Sequence, residues 1–155
     1  MHRWSAFKQL RTRRRSLLPQ YNAQMTQYTT DTKVDASQTA PKLLDGVMKL
    51  GAAPGDAQPG CRVFVHYNGP TDMLGGMCTG MAVLEPGASP HPPHRHPEEE
   101  FLIVASGTGE IECAGKTTTV GPGDIMYCAG DVLHGITNTG LVPLTFYWSK
   151  WLARA

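Results

Sequence analysis

From Cys61 onward the chain alternates. "CRVFVHYN" sets β-branched and aromatic residues against polar ones at every second position, the period of a half-buried strand. "MCTGMAVLEPG" is a second such run, stopped by Pro86-Gly87. After the proline-rich stretch around residue 90, short apolar runs follow one another: "FLIVAS", "EIECA", "KTTTV", "DIMYC", "HGIT" and "VPLTFYWSKW". Turn residues separate them at 106–109, 114–115, 121–124, 129–131 and 138–140. A turn signal about every 8–12 residues predicts a β-sandwich or barrel. Further upstream, "KLLDGVMKLG" fits either a short strand or a helical turn, "APGDAQPG" reads as loop and "GPTDMLGG" as turn. Residues 25–42 are polar and aperiodic, an extended lead-in with room for one edge strand.

Composition agrees with the pattern. Glycine and proline, 17 and 12 of 155 residues, suit short strands and tight turns better than long helices. The length is that of one domain with a core of its own. The division expected is a basic, poorly ordered arm at 1–24, a lead-in at 25–59 and a barrel at 60–152. The arm holds Arg3, Lys8, Arg11, Arg13, Arg14 and Arg15 and no acid. Three readings of it stand: an extension upstream of a true start at Met25, an organelle-targeting segment, or a basic contact arm. Twin-arginine export fails, because Pro19, Gln20 and Asn22 interrupt any apolar core behind the arginines.

The rest of the chain is mildly acidic, so its long-range field does not favour nucleic acid. No glycine-rich phosphate loop opens a helix, and no run of about 18 apolar residues offers a membrane span. Cys61, Cys78, Cys113 and Cys128 form no C-x-x-C pair. They read as four buried, reduced thiols of a cytoplasmic protein.

The chemistry concentrates in "SPHPPHRHPEEEF". Prolines at 90, 92, 93 and 97 forbid a helix there. In an extended chain His94 and His96 share a face and Arg95 takes the other. Glu100 opens the apolar run "FLIV", an awkward place for a carboxylate without a partner. His134 lies far along the chain, after a turn and among apolar residues. Alone it would be an ordinary core or surface histidine. By odd offset from His94, His91 is assigned to the opposite face and to the loop. His66 reads as mid-strand, and Glu98 and Glu99 as solvated, with the alternative that either helps bind a cation at the rim. Tyr127, Phe146, Tyr147 and Trp148 read as core or interface aromatics.

Two segments carry a family resemblance. "GASPHPPHRHPEEEFLIVASG" resembles the first conserved element of the cupins, with Gly87, His94, His96, Glu100 and Gly107 in its positions. "GDIMYCAGDVLHGITN" resembles the second, with Gly123, His134 and Asn138. The likeness covers about residues 60–150. It departs from the family in a six-residue spacer before His94 and in Cys128-Ala129-Gly130 where Pro-x-Gly is usual.

The resemblance implies an all-β, double-stranded β-helix (jelly-roll) barrel and one metal ion held by His94, His96, Glu100 and His134. Such a donor set suits Fe, Mn, Ni, Co or Zn and not Ca or Mg. With positions left open, the ion would draw enolates, carboxylates or hydroxy-carbonyl groups of a small-molecule ligand or substrate. The functional expectation is a metal-dependent oxidoreductase of the dioxygenase type. The alternatives are a metal-dependent isomerase or lyase, and a metal-assisted binding protein without turnover. The resemblance also implies a homodimer, and the terminal run "LTFYW" is compatible with cover by a partner. Imidazole ligands must be neutral, so metal affinity is expected to fall below about pH 6.

Overall fold

The computed structural model describes residues 41–154. The expectations for a basic arm at 1–24 and for an edge strand before residue 41 lie outside the described residues. Nine strands follow in chain order: β1 (Gly55–Gln58), β2 (Cys61–Gly69), β3 (Leu74–Leu84), β4 (Glu99–Ser106), β5 (Gly109–Cys113), β6 (Lys116–Val120), β7 (Ile125–Cys128), β8 (His134–Thr137) and β9 (Leu144–Ala153). They form a six-stranded sheet, β1-β2-β3-β9-β4-β7, and a three-stranded sheet, β6-β5-β8. Every strand pair is antiparallel.

After β3 the chain crosses back and forth between the sheets. The segment between β3 and β4 reaches the small sheet at His94, which bridges His134 on β8. That winding is the expected double-stranded β-helix.

Alternation places the core. On β4, Glu100, Leu102 and Val104 are buried while Phe101 and Ile103 face outward. On β9, Leu144 and Phe146 are buried and Trp148 packs against the core, with Tyr147 between them outside. Strand register then aligns these residues in rows across the large sheet. Cys61, Leu84 and Leu144 form one. Val65, Gly80, Trp148, Leu102 and Met126 form another, two residues along β4 from Glu100. A Cβ at residue 80 would lie 2.3 Å from Cη2 of Trp148, so the indole needs glycine beneath it. The closed end is held by Asn138, whose Nδ2 donates to the carbonyls of Leu84 and Val142 at 2.9 Å each.

Three local expectations are corrected. "APGDAQPG" is not all loop, because its residues 55–58 form β1 and pair with β2 across Pro59-Gly60. β3 begins at Leu74, inside the stretch read as turn. "KLLDGVMKLG" is mostly irregular and enters a single 3₁₀ turn only at Leu50–Ala52. "LTFYW" belongs to β9, which lies between β3 and β4, so its backbone edges are already paired and only its outward face, with Tyr147 exposed, is left for a partner to cover. His66 is mid-strand as expected, at a register shift between Val65 and Tyr67.

Candidate metal centre

The four candidate residues come from three pieces of chain. Glu100 heads β4 with its side chain turned inward. His134 opens β8, also inward. His94 pairs with it backbone to backbone, each N–H donating to the other's carbonyl at 3.0 Å. The loop after β7 clasps the same segment: Asp131 N–H donates to the carbonyl of His96 at 2.7 Å, and Arg95 Nη1 donates to the carbonyl of Asp131 at 2.6 Å. Gly130 permits that approach, since a Cβ there would stand 2.4 Å from the carbonyl oxygen of Pro97.

The structure brings the four side chains together. Ligand atoms of His94, His96 and His134 lie within 4.8 Å of one another. Glu100 Oε2 is 3.0 Å from His96 Nε2 and 3.2 Å from His134 Nε2. The far nitrogens fix the chemistry of these contacts. His96 Nδ1–H donates to the carbonyl of Glu98 at 3.1 Å, and His134 Nδ1–H to the carbonyl of Val132 at 2.8 Å. A neutral imidazole has one N–H, so both Nε2 atoms then present lone pairs to a carboxylate oxygen. With both rings neutral, three acceptors face one another, an arrangement that either a proton or a metal ion bridges. The spacing fits, because cis ligands at about 2.1 Å from an ion stand about 3.0 Å apart. His94 adds a buried Nδ1 with no hydrogen-bond partner, an orphan that a ligand role for this ring would explain.

Electrostatics give the same picture. Burial works against charge on His96, but the carboxylates of Glu100 and Glu98 outweigh it and hold its pKa up at about 9. Burial likewise opposes ionisation of Glu100, yet the imidazoles of His134 and His96 bring it down to about 2. Burial, followed by His91, His134 and His96 nearby, pushes His94 down to about 4. A proton on His96 and a metal ion are thus competitors for one negatively biased niche. Cys128 Sγ lies 3.3 Å from His134 Nδ1. Burial and then Cys113 push that thiol up to about 12, which keeps it neutral in the metal-free protein.

Residues 80–150 match the family model of the Cupin_2 cupin domain. The chain carries a cupin domain. Solved cupin-like structures share its fold at low identity. An RmlC-like cupin from Shewanella frigidimarina aligns with TM-score 0.58 at 15% identity, over 72% of this chain and 94% of that one. The polyketide cyclase RemF from Streptomyces resistomycificus aligns with 0.58 at 17%, over 72% and 82%. A predicted oxalate decarboxylase from Thermotoga maritima aligns with 0.56 at 20%, over 69% and 99%. No curated protein matches the sequence. Among the described residues no helix is long and apolar enough to cross a membrane.

Three residues of this cupin depart from their sequence reading or escaped it. Glu98 is buried, not solvated: its Oε2 lies 3.3 Å from His96 Nδ1 and its Oε1 3.5 Å from Lys150 Nζ. The chain bends at 90–93, so His91 is not carried to the opposite face but packs on His94, ring centres 4.0 Å apart. Lys150 drew no notice, though it follows Trp148 by two in "YWSK", on the inward alternation of β9. Asn138 closes the far end of the barrel and is not part of the site. Of the four cysteines, all are free, but only Cys61 and Cys128 are buried; Cys78 and Cys113 are half-buried.

Proposed function

We propose that this cupin binds one divalent transition metal through His94, His96, Glu100 and His134 and acts on a small oxygenated organic molecule. Dioxygen-dependent oxidation is the leading reaction. The observation that carries the reading is Glu100 Oε2 set 3.0 and 3.2 Å from two imidazole nitrogens whose tautomers are dictated by backbone carbonyls.

When bound, such an ion supplies Lewis acidity and, for a redox-active metal, a route for electrons. The chain's own residues prepare the place. Carbonyls of Glu98 and Val132 orient the two imidazoles. Trp148, Leu102 and Met126 lay an apolar floor beneath the donors, which excludes water and strengthens electrostatic contacts above it.

A non-redox isomerase or lyase is the second reading, and the names of two fold relatives, a cyclase and a predicted decarboxylase, favour keeping it. The third is metal-assisted binding without turnover. Elemental analysis of protein purified without added metal or chelator comes first, with about one transition metal ion per chain expected. Oxygen uptake with Fe(II) supports the oxidative reading. Turnover under argon with Mn, Ni, Co or Zn supports the non-redox one, and a ligand recovered unchanged supports the third. A protein that retains no transition metal refutes all three.

The reading includes a barrel at 60–152 and a reducing, cytoplasmic setting, supported by four free cysteines. It also includes a homodimer. With β9 interior to the sheet, the face available for it is the outer side of the large sheet, where Phe101, Ile103, Ile125, Tyr127 and Tyr147 are exposed.

A further inference from the structure

We infer that Cys113 and Cys128 are a modification site: a thiol pair that a hydroperoxide closes into a reversible disulfide, with Cys113 as the sulfur reached through a cleft in the side of the barrel. The inference depends on neither the metal nor the reaction proposed above.

Strand pairing brings the two thiols to one place from opposite sheets. Cys113 ends β5 and stands directly opposite His134 in the β5–β8 register, so the two side chains share a face. Cys128 ends β7, on the other sheet, and its Sγ lies 3.3 Å from Nδ1 of the same His134. The two sulfurs thus flank one imidazole, and the Cys113 side chain hydrogen-bonds to Cys128. The other two cysteines are not a pair. Cys61 opposes Leu84 at the end of β3, and Cys78 lies six residues back along that strand, about 20 Å away.

Access differs between the two sulfurs. Cys128 is 1% exposed. Cys113 is half-buried and lines a cleft of about 220 Å³ between β5 and β6 on one side and β7 on the other. Ile111, Val120 and Met126 give the cleft apolar walls. Lys116, directly across the β5–β6 register from Cys113, lines it too. A small hydroperoxide fits there, and the ammonium offsets the negative charge that develops on the departing oxygen.

The chemistry balances with that oxidant alone. The Cys113 sulfur attacks one peroxide oxygen, the O–O bond breaks, and the other oxygen leaves with the thiol proton as water or an alcohol. The Cys128 sulfur then attacks the sulfenic sulfur, its proton leaves with the hydroxyl as water, and the S–S bond forms. Two thiols lose two electrons and two protons, which reduce the peroxide. The bond joins the two sheets beside His134, and the thiols of a reducing compartment reverse it, as they do for redox-sensing disulfides there.

The plain structural alternative is a pair of packed, inert thiols. To separate the two, full-length protein is treated with hydrogen peroxide in the presence of a strong chelator, so that no metal takes part. Thiols are counted after denaturation, and tryptic peptides are weighed; trypsin cuts at Lys116, between the two cysteines. Folded wild type should lose two of its four free thiols, yield the peptides of Cys113 and Cys128 joined, and regain all four with dithiothreitol. Cys113→Ser should keep its remaining thiols at the same dose. Cys128→Ser, or Cys128→Ala if the serine variant does not fold, should stop at a sulfenic acid on Cys113 that dimedone traps. Cys78→Ala should form the bond as wild type does.

A folded wild type that keeps all its thiols overturns the inference. So does a link made to Cys61 or Cys78, thiol loss in Cys113→Ser equal to that in wild type, or a Cys128 variant with no trapped adduct on Cys113.

Discussion

At the scale of single residues, the site is a set of acceptors arranged to demand a cation. Glu98 is the residue whose role is easiest to isolate, because it touches His96 from behind, at 3.3 Å from Nδ1. Glu98→Gln removes the charge and keeps the shape. Partners of this kind typically contribute 10–100-fold to metal affinity, so a loss of about that size is expected in a competitive chelator titration. Unchanged affinity would mean the carbonyl of Glu98 alone orients the ring.

The same charges set a pH dependence for metal-free protein. His96 has its folded pKa raised to about 9, so its contribution to stability is present below about 6.5 and lost as pH rises toward 9. Glu98 and Glu100 are depressed to about 2, so theirs is present above about 4.5 and lost as pH falls toward 2. His94, depressed to about 4, costs stability as pH falls from about 6.5 toward 4, so metal-free protein should melt highest near pH 6.5. Metal displaces the proton from His96, so its stabilising effect should be larger at pH 8.5 than at 5.5. Proton competition thus reaches well above the pH 6 expected from unperturbed histidine. Thermal melts with and without metal across that range check both statements. A metal-induced shift that is larger at pH 5.5 would contradict them.

At the scale of elements, the histidine segment belongs to no long strand and is held by its neighbours. The loop between β7 and β8 carries Gly130 and Asp131, and a methyl group at 130 would press on the backbone of Pro97 at 2.4 Å. That contact is with backbone, which cannot rotate aside. Gly130→Ala should cost about 1–3 kcal/mol, as overpacking does, and weaken metal binding along with it because His96 is one residue away. Denaturant unfolding and a metal titration on the same variant test this, and a normal metal affinity would show that the segment keeps its place without the clasp.

The opposite end of the barrel offers the control. Asn138→Ala strands the carbonyls of Leu84 and Val142 and the N–H of Gly140, which donates to Asn138 Oδ1 at 2.9 Å. A loss of about 2–4 kcal/mol is expected for those unmade bonds, with metal affinity retained in whatever protein stays folded.

At the scale of the whole molecule, the unusual feature is the outer face of the large sheet. Register sets Phe64, Met81, Tyr147, Ile103 and Ile125 in one row across five strands, and of these Tyr147, Ile103 and Ile125 are exposed while Met81 is buried. Beside that row, Phe101 stacks with Tyr127 and Trp151, ring centres 5.5 and 5.4 Å apart. Contiguous apolar area of this kind on a protein surface marks an interface more often than not. If two copies meet there, Ile103→Asp puts a charge into the contact and should convert a dimer to a monomer in sedimentation or light scattering, without loss of bound metal. A wild type that is monomeric at high concentration would remove the homodimer from the proposal.

The sequence by itself determined the strands from Cys61 onward and the closeness of His94 to His96. Both depend on neighbours a few residues apart: period-two alternation sets the faces, and prolines 93 and 97 bar a helix between. It also marked Glu100 as a carboxylate wanting a partner, since the misfit lies in the strand it opens. His134 was reachable only through the family likeness, because nothing local distinguishes it from a core histidine. Tertiary structure alone decided the rest. Glu98 looked solvated until β9 brought Lys150 beside it, and His91 looked outward until the bend at 90–93 folded it onto His94. That "LTFYW" lies inside the sheet, between β3 and β4, was likewise decided by strand pairing. Those facts are properties of which strands pair and in what register, and that choice is made by burial summed over the whole barrel, not by any short stretch of chain.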